Sequence, residues 1–366
     1  MNTPYLETTQ KQEGWQATFA FQVFHRPAAE WLSMRWGFNA GALLDEALDR
    51  YRLFIESQSL SEAAFLANDQ LADRTLTLRG INLPGKGLQM ALIGKTISTD
   101  KSHAQQAAKD YARELFSTFP HDFILQPAEE KKDYESLYGR DFFTKIPQVA
   151  AIQRAAALIQ PLEKYQYFSG IWQSSPRANE QIWRALSNTQ KTAMLNITLQ
   201  PSIMYSGEKE MLLDAKKTIA NIYIDAKEDE EQEESIFADY LTWAEAYIKR
   251  RLTPWKNFFQ LQIHVLMDGP VDENLLRSIA APITRVPTEN SMPGFQILRP
   301  ASREEEKEWC ERICSLDFIT TTMHINDLAD VDEAFAVFRL PYRPEAGLPG
   351  ANFISTVTDP PTPPSG

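Results

Sequence analysis

Residues 92–99 read LIGKTIST, and Gly94-Lys95-Thr96 is how a phosphate-gripping loop ends. Such a loop also needs an earlier glycine, five positions before the second, so that the backbone curls and several N–H groups converge on one oxyanion. Counting back five from Gly94 reaches Gln89, and the nearest upstream glycine is Gly87. Leu88, Met90 and Leu92 alternate with Gln89 and Ala91, which is the period of a strand. Thr99 or Asp100 can then cap a helix carrying an apolar stripe of Ala104, Ala107, Ala108, Tyr111, Ala112, Leu115 and Phe116. The stretch reads as strand, turn and helix, and Lys95 is not expected to hold nucleotide.

The same pattern continues outward. A strand is expected at 15–24, with Ala17, Phe19, Phe21 and Val23 on one side. Leu44, Ala47, Leu48, Tyr51 and Ile55 give a helical stripe running to about residue 57. Leu76 and Leu78 start a short strand ahead of a turn-rich stretch at 80–87. Three strand-then-helix units follow, each with a short return: 88–97, 101–117 and 123–125; 194–201, 208–220 and 222–224; 258–267, 271–281 and 295–298. Further helices are expected at 147–168, 178–186, 236–251, 302–315 and 330–337. This alternation predicts α/β or α+β layers, with helices covering a sheet face. The expected organisation is an N-terminal domain over 1–170, a second with inserted helices over 171–350, and a flexible Pro-rich tail over 351–366.

The 366 residues exceed the usual size of one domain. A hydrophobic fraction of 43% excludes wholesale disorder. With 37 basic and 49 acidic side chains the net charge is −12, so nucleic-acid binding would need a concentrated basic patch. The first residues show no basic region followed by an apolar run, and no stretch approaches the roughly 18 apolar residues of a membrane span. No signal peptide and a cytoplasmic location are the expectations. Cys310 and Cys314, four apart in a helical pattern, read as packing residues.

Motifs for chemistry are sparse. ALLDEA at 42–47 has the look of a nucleotide-hydrolysis motif but falls inside a helical stripe. No two of His25, His103, His121, His264 and His324 have metal-ligand spacing, although His121-Asp122 and His324 with Asp327 offer donor pairs. G-x-S-x-G is absent, so no catalytic residue, metal or cofactor is assigned. The best basic cluster is KRRLTPWK at 249–256, where Lys249, Arg250, Arg251 and Lys256 surround Trp255, a residue suited to stacking on a base. The same cations also suit the negative end of a helix that Pro254 stops.

DLADVDEAFAVFRLPYRPEAGLPG, from Asp327 to Gly350, resembles the segment that closes the N-terminal, non-ATPase region of HerA/FtsK-like ATP-binding proteins, relatives of the motor ATPases of type IV secretion and conjugation. The matching pieces are Asp332-Glu333-Ala334, Phe338-Arg339-Leu340-Pro341 and Gly347-Leu348-Pro349-Gly350, with looser agreement over 93–120, 183–202 and 258–284. In that family a P-loop ATPase domain follows. The resemblance therefore leaves either a separate motor polypeptide or a truncated or degenerate remnant, and the leading expectation is a non-catalytic accessory protein that docks onto a separate translocase ATPase or organises its ring, in conjugation, secretion or phage defence. The eight residues of the second and third pieces are the expected path to that partner. Self-assembly into a homo-oligomer is a further expectation. The alternative is a nucleic-acid-binding or nucleic-acid-processing protein using carboxylates and the 249–256 cluster.

Overall fold

The computed structural model describes residues 3–12, 14–25, 40–67, 73–160, 166–174, 176–228, 236–284, 291–320 and 323–341. Strands β1 (Glu7–Lys11) and β2 (Gly14–His25) open the fold. Helices α1 (Ala40–Ser57) and α2 (Glu62–Leu66), strands β3 (Arg74–Leu83) and β4 (Gly87–Ser98), helix α3 (Lys101–Thr118) and strand β5 (Phe123–Pro127) follow. Short helices α4 (Lys131–Tyr138) and α5 (Arg140–Phe143) lead to β6 (Gln148–Arg154) and the hairpin β7 (Ala156–Gln160) and β8 (Gln166–Ser169). Next come α6 (Pro176–Ser187), β9 (Ala193–Ser202), α7 (Ser206–Glu228), α8 (Ile236–Arg251), β10 (Phe258–Met267), α9 (Glu273–Ile283) and β11 (Phe295–Leu298). The described chain closes with α10 (Arg303–Cys314), α11 (His324–Asp327), β12 (Leu328–Asp330) and α12 (Val331–Val337).

Two passes of one topology account for most of this order. β2, α1, β3, β4, α3 and β5 make a β-α-β-β-α-β unit whose strands lie β5-β2-β4-β3. β6, α6, β9, β10, α9 and β11 repeat it with strands β11-β6-β10-β9. This is the strand order of the split β-α-β motif, antiparallel at every pairing. The units join through β3 and β9, with Leu76 opposite Leu199 and Asn82 opposite Ala193, to give one ten-stranded sheet. The fold is thus mixed helix and antiparallel sheet, as the sequence pattern predicts.

The sequence boundary near residue 170 does not interrupt that sheet. One apolar cluster holds Leu76 and Leu78 together with Leu195, Ile197 and Leu199. Helices α1, α3, α6, α9 and α12 cover this face, whereas α4, α5 and α10 cover the other. The second unit also carries two insertions, the β7–β8 hairpin and the α7–α8 pair, which bury Phe168, Leu212, Ala215, Tyr247 and Ile248 in a cluster of their own. Among the described residues no helix is long and apolar enough to cross a membrane.

Two sequence expectations fail. The run 147–168, read as a helix, holds strands β6, β7 and β8. Its Ala and Gln residues favour helix, and β6 is buried on both faces, so the alternation that marks a half-exposed strand is missing. The return strand at 222–224 is instead part of α7, which runs unbroken to Glu228 because no Gly or Pro interrupts it. The tail at 351–366 lies outside the described residues.

Candidate functional site

Each residue of the Gly94-Lys95-Thr96 run has a packing role inside β4. Gly94 stands opposite Phe19 across the ladder, and a Cβ there would overlap the Phe19 ring. The buried Lys95 ammonium donates to the Leu316 carbonyl at 2.5 Å and to Asp317 Oδ1 at 2.7 Å. Burial lowers its pKa, and Asp317 opposes that shift. Thr96 donates its hydroxyl to the Ala104 carbonyl in α3. On the neighbouring strand β3, Arg79 plays a similar part, donating to Asn196 Oδ1 at 2.8 Å, Tyr138 O at 2.5 Å and Ile313 O at 3.2 Å. The last two carbonyls end α4 and α10, so this buried guanidinium meets two negative helix ends in place of a carboxylate.

The two segments singled out in the sequence prove to be one another's partners. Glu333, fully buried, accepts from Arg251 Nη1 at 2.5 Å, Arg251 Nη2 at 3.1 Å, Arg154 Nη1 at 2.6 Å and two backbone N–H groups, those of Asp330 and Trp172. Asp330 accepts from Arg250 at 2.7 Å and Lys256 at 2.7 Å, and also caps α12 in a reciprocal box with Glu333. Asp332 accepts from Arg52 at 2.9 Å. Burial opposes ionisation of both acids, yet the surrounding cations hold their pKa values below the ordinary carboxylate range: Arg250, Arg251 and Lys256 for Asp330, and Arg251 and Arg154 for Glu333. The basic end of α8 thus closes on the acidic start of α12, charge and helix dipole acting in the same sense.

This arrangement decides where the predicted contacts lie. Arg251 is interior, and Arg250 and Lys256 are mostly covered and engaged with Asp330. The expected nucleic-acid cluster therefore presents Lys249, which is exposed, and Trp255, which is 100% exposed. The run expected to face a partner lies inside the described fold. Phe338, Arg339, Leu340 and Pro341 are buried. Trp183 Nε1 donates to the Arg339 carbonyl, and Arg339 lies over the Phe335 ring and donates to Ser174 Oγ. Apolar burial draws this run into the core rather than onto a surface. Gly347, Leu348, Pro349 and Gly350 lie outside the described residues.

Of the donor pairs, Asp122 is engaged by Arg50, and His324 and Asp327 have different partners, Asp327 accepting from Gln262 and Gln153. Among the described residues no group of three His, Cys, Asp or Glu could hold a metal. Burial pushes His264 down to about 3, a neutral core imidazole. The Cys310 thiol donates to the Pro147 carbonyl, and burial raises its pKa to about 12.

A further convergence has no spacing signature. His324 Nε2 lies 2.9 Å from Ser202 Oγ, and its Nδ1 lies 2.9 Å from Glu208 Oε1. Ser202 ends β9, Glu208 lies in the first turn of α7 and His324 opens α11. The Tyr205 ring covers the imidazole at 4.4 Å, and the Tyr205 N–H donates to Glu208 Oε2.

No family model matches the chain, and a search of curated proteins returns no match.

Proposed function

We propose that the chain is an accessory to a separate P-loop translocase ATPase of the HerA/FtsK type, docking onto that motor or organising its ring in conjugation, secretion or phage defence. The observation that carries this reading is the clasp between the end of α8 and the start of α12. It locks in place the segment that resembles the family's domain exit, so that the chain leaves the sheet at a fixed point after Pro341. The engagement of Lys95 by Leu316 and Asp317 removes it as a phosphate-holding lysine, in keeping with an accessory role.

The test mixes the purified chain with the HerA-like ATPase encoded in the same genome. Size-exclusion with light scattering is expected to detect a complex, the ATPase rate is expected to change, and truncation after Pro341 is expected to weaken association at least about tenfold, the 1.4 kcal/mol of one modest interface contact. ATP turnover by the chain alone, or no complex with the intact chain, would reject the reading. DNA binding that falls steeply with salt and is lost in Lys249→Glu and Trp255→Ala would favour the nucleic-acid alternative instead.

A further inference from the structure

We propose that Ser202, His324 and Glu208 form an acyl-transfer site that takes carboxylic esters. The proposal is independent of the translocase reading. A carboxylate oxygen of Glu208 lies 2.9 Å from Nδ1, and in the tautomer in which that nitrogen donates to it, Nε2 faces the Ser202 hydroxyl at 2.9 Å with its lone pair. Serine, base and orienting carboxylate thus stand in the order that activates a hydroxyl, a constellation recognised by geometry and not by position in the chain. Ser202 and Glu208 flank one short strand-to-helix connection, and His324 joins them from a segment more than a hundred residues away.

The surroundings fit the chemistry. Ser202 is followed within four residues by the start of α7, whose leading Ser206 and Gly207 N–H groups have no intrahelical acceptor and stand at the positive end of a 23-residue helix. A Cβ on Gly207 would meet nothing within 4 Å, so the first turn borders open space. Ser202 itself is 3% exposed, and Tyr205, 48% exposed, lies across the imidazole. Access of a substrate to Ser202 requires the Tyr205 ring to turn outward.

In the first step Ser202 Oγ bonds to the ester carbonyl carbon as its proton passes to His324 Nε2. The carbon–alkoxide bond then breaks, and the alcohol leaves with that proton. Water repeats the sequence on the acyl-serine, its proton passing through His324, and releases the carboxylic acid with Ser202 restored. Ser202 and His324 are the catalytic residues and Glu208 a positioning residue.

A fluorophosphonate probe tests the site, since it captures an activated serine with loss of fluoride. The expected result is one adduct per chain on the peptide holding Ser202, found by mass spectrometry. His324→Ala is expected to slow labelling on the order of 100-fold or more, the contribution of a general base. Tyr205→Ala is expected to speed it by uncovering the ring. Glu208→Gln is expected to lower kcat of p-nitrophenyl acetate hydrolysis with KM unchanged, a split that a merely structural tether would not produce. Absence of an adduct on Ser202 in the folded wild-type protein, or labelling indifferent to His324→Ala, overturns the proposal. If circular dichroism shows that His324→Ala has unfolded, the wild-type adduct and the Tyr205→Ala rate decide.

Discussion

Arg251 grips Glu333 at two points, with both side chains fully withdrawn from solvent. A buried ion pair of this kind is weak evidence for net stability, but removing one member strands the other's charge in the interior. Glu333 is the more consequential half, since it neutralises Arg154 as well. Glu333→Gln should cost about 3–5 kcal/mol in urea unfolding, and Arg251→Met a similar amount. A loss under about 1 kcal/mol for Glu333→Gln would contradict the clasp.

Gly94→Ala should destabilise the fold, because its new methyl would collide with Phe19 in the centre of the sheet. Overpacking of a tight core costs about 1–3 kcal/mol. Lys95→Met removes a buried cation and leaves the Leu316 carbonyl without its donor, which costs about 1–3 kcal/mol. Calorimetric titration with ATP and Mg²⁺ should give the same result for Lys95→Met as for the wild type. A nucleotide affinity that Lys95→Met abolishes would restore the phosphate-loop reading.

His264 gives a pH prediction. Its folded pKa of about 3 lies below the ordinary 6.5, burial being the cause. The unfolded chain therefore binds the extra proton first, and the His264 contribution to stability falls as pH drops from about 6.5 toward 3, opposed by buried Asp327, whose pKa is raised to about 6. Asp330 and Glu333, also depressed, add a loss at lower pH as their cations lose their partners. His264→Leu should flatten the upper part of this profile, between about pH 4.5 and 6.5, when unfolding is followed at several pH values. An unchanged slope in that window would contradict a neutral, buried His264.

Trp255 combines full exposure with a left-handed backbone, φ 62°. A non-glycine residue in that region carries strain of about 1 kcal/mol or more, and here no packing compensates for it. Trp255→Gly should leave stability unchanged or raise it by up to about 1 kcal/mol, the gain being trimmed by the freedom glycine adds to the unfolded chain. A fall of 2 kcal/mol would show that the indole is packed.

The sequence carried the strands that alternate visibly, including 87–98, 193–202 and 258–267, whose bounds fall within a residue or two of the expected ones. It did not carry 148–154, where small apolar residues are buried on both sides and leave no period to read. The pairing of β3 with β9 was also hidden, because register between segments more than a hundred residues apart is settled by the assembled sheet and not by either strand. Both halves of the clasp stood out separately, a run of cations at 249–251 and a run of acids at 330–333. Their mutual neutralisation depends on a contact some eighty residues apart, which no local pattern records. Ser202, Glu208 and His324 are unremarkable in isolation, and only the fold places them in line.

The seam between β3 and β9 bears on how the chain matures at the ribosome. Until residue 202 has emerged from the exit tunnel, β3 is a bare inner edge, ten residues long, with an apolar face on show. Arg154 and Arg251 must wait longer still, for a carboxylate that arrives only with residue 333. Synthesis stalled before residue 202 would release a chain with that apolar edge bare, so nascent chains of this protein are expected to be strong clients of holding chaperones.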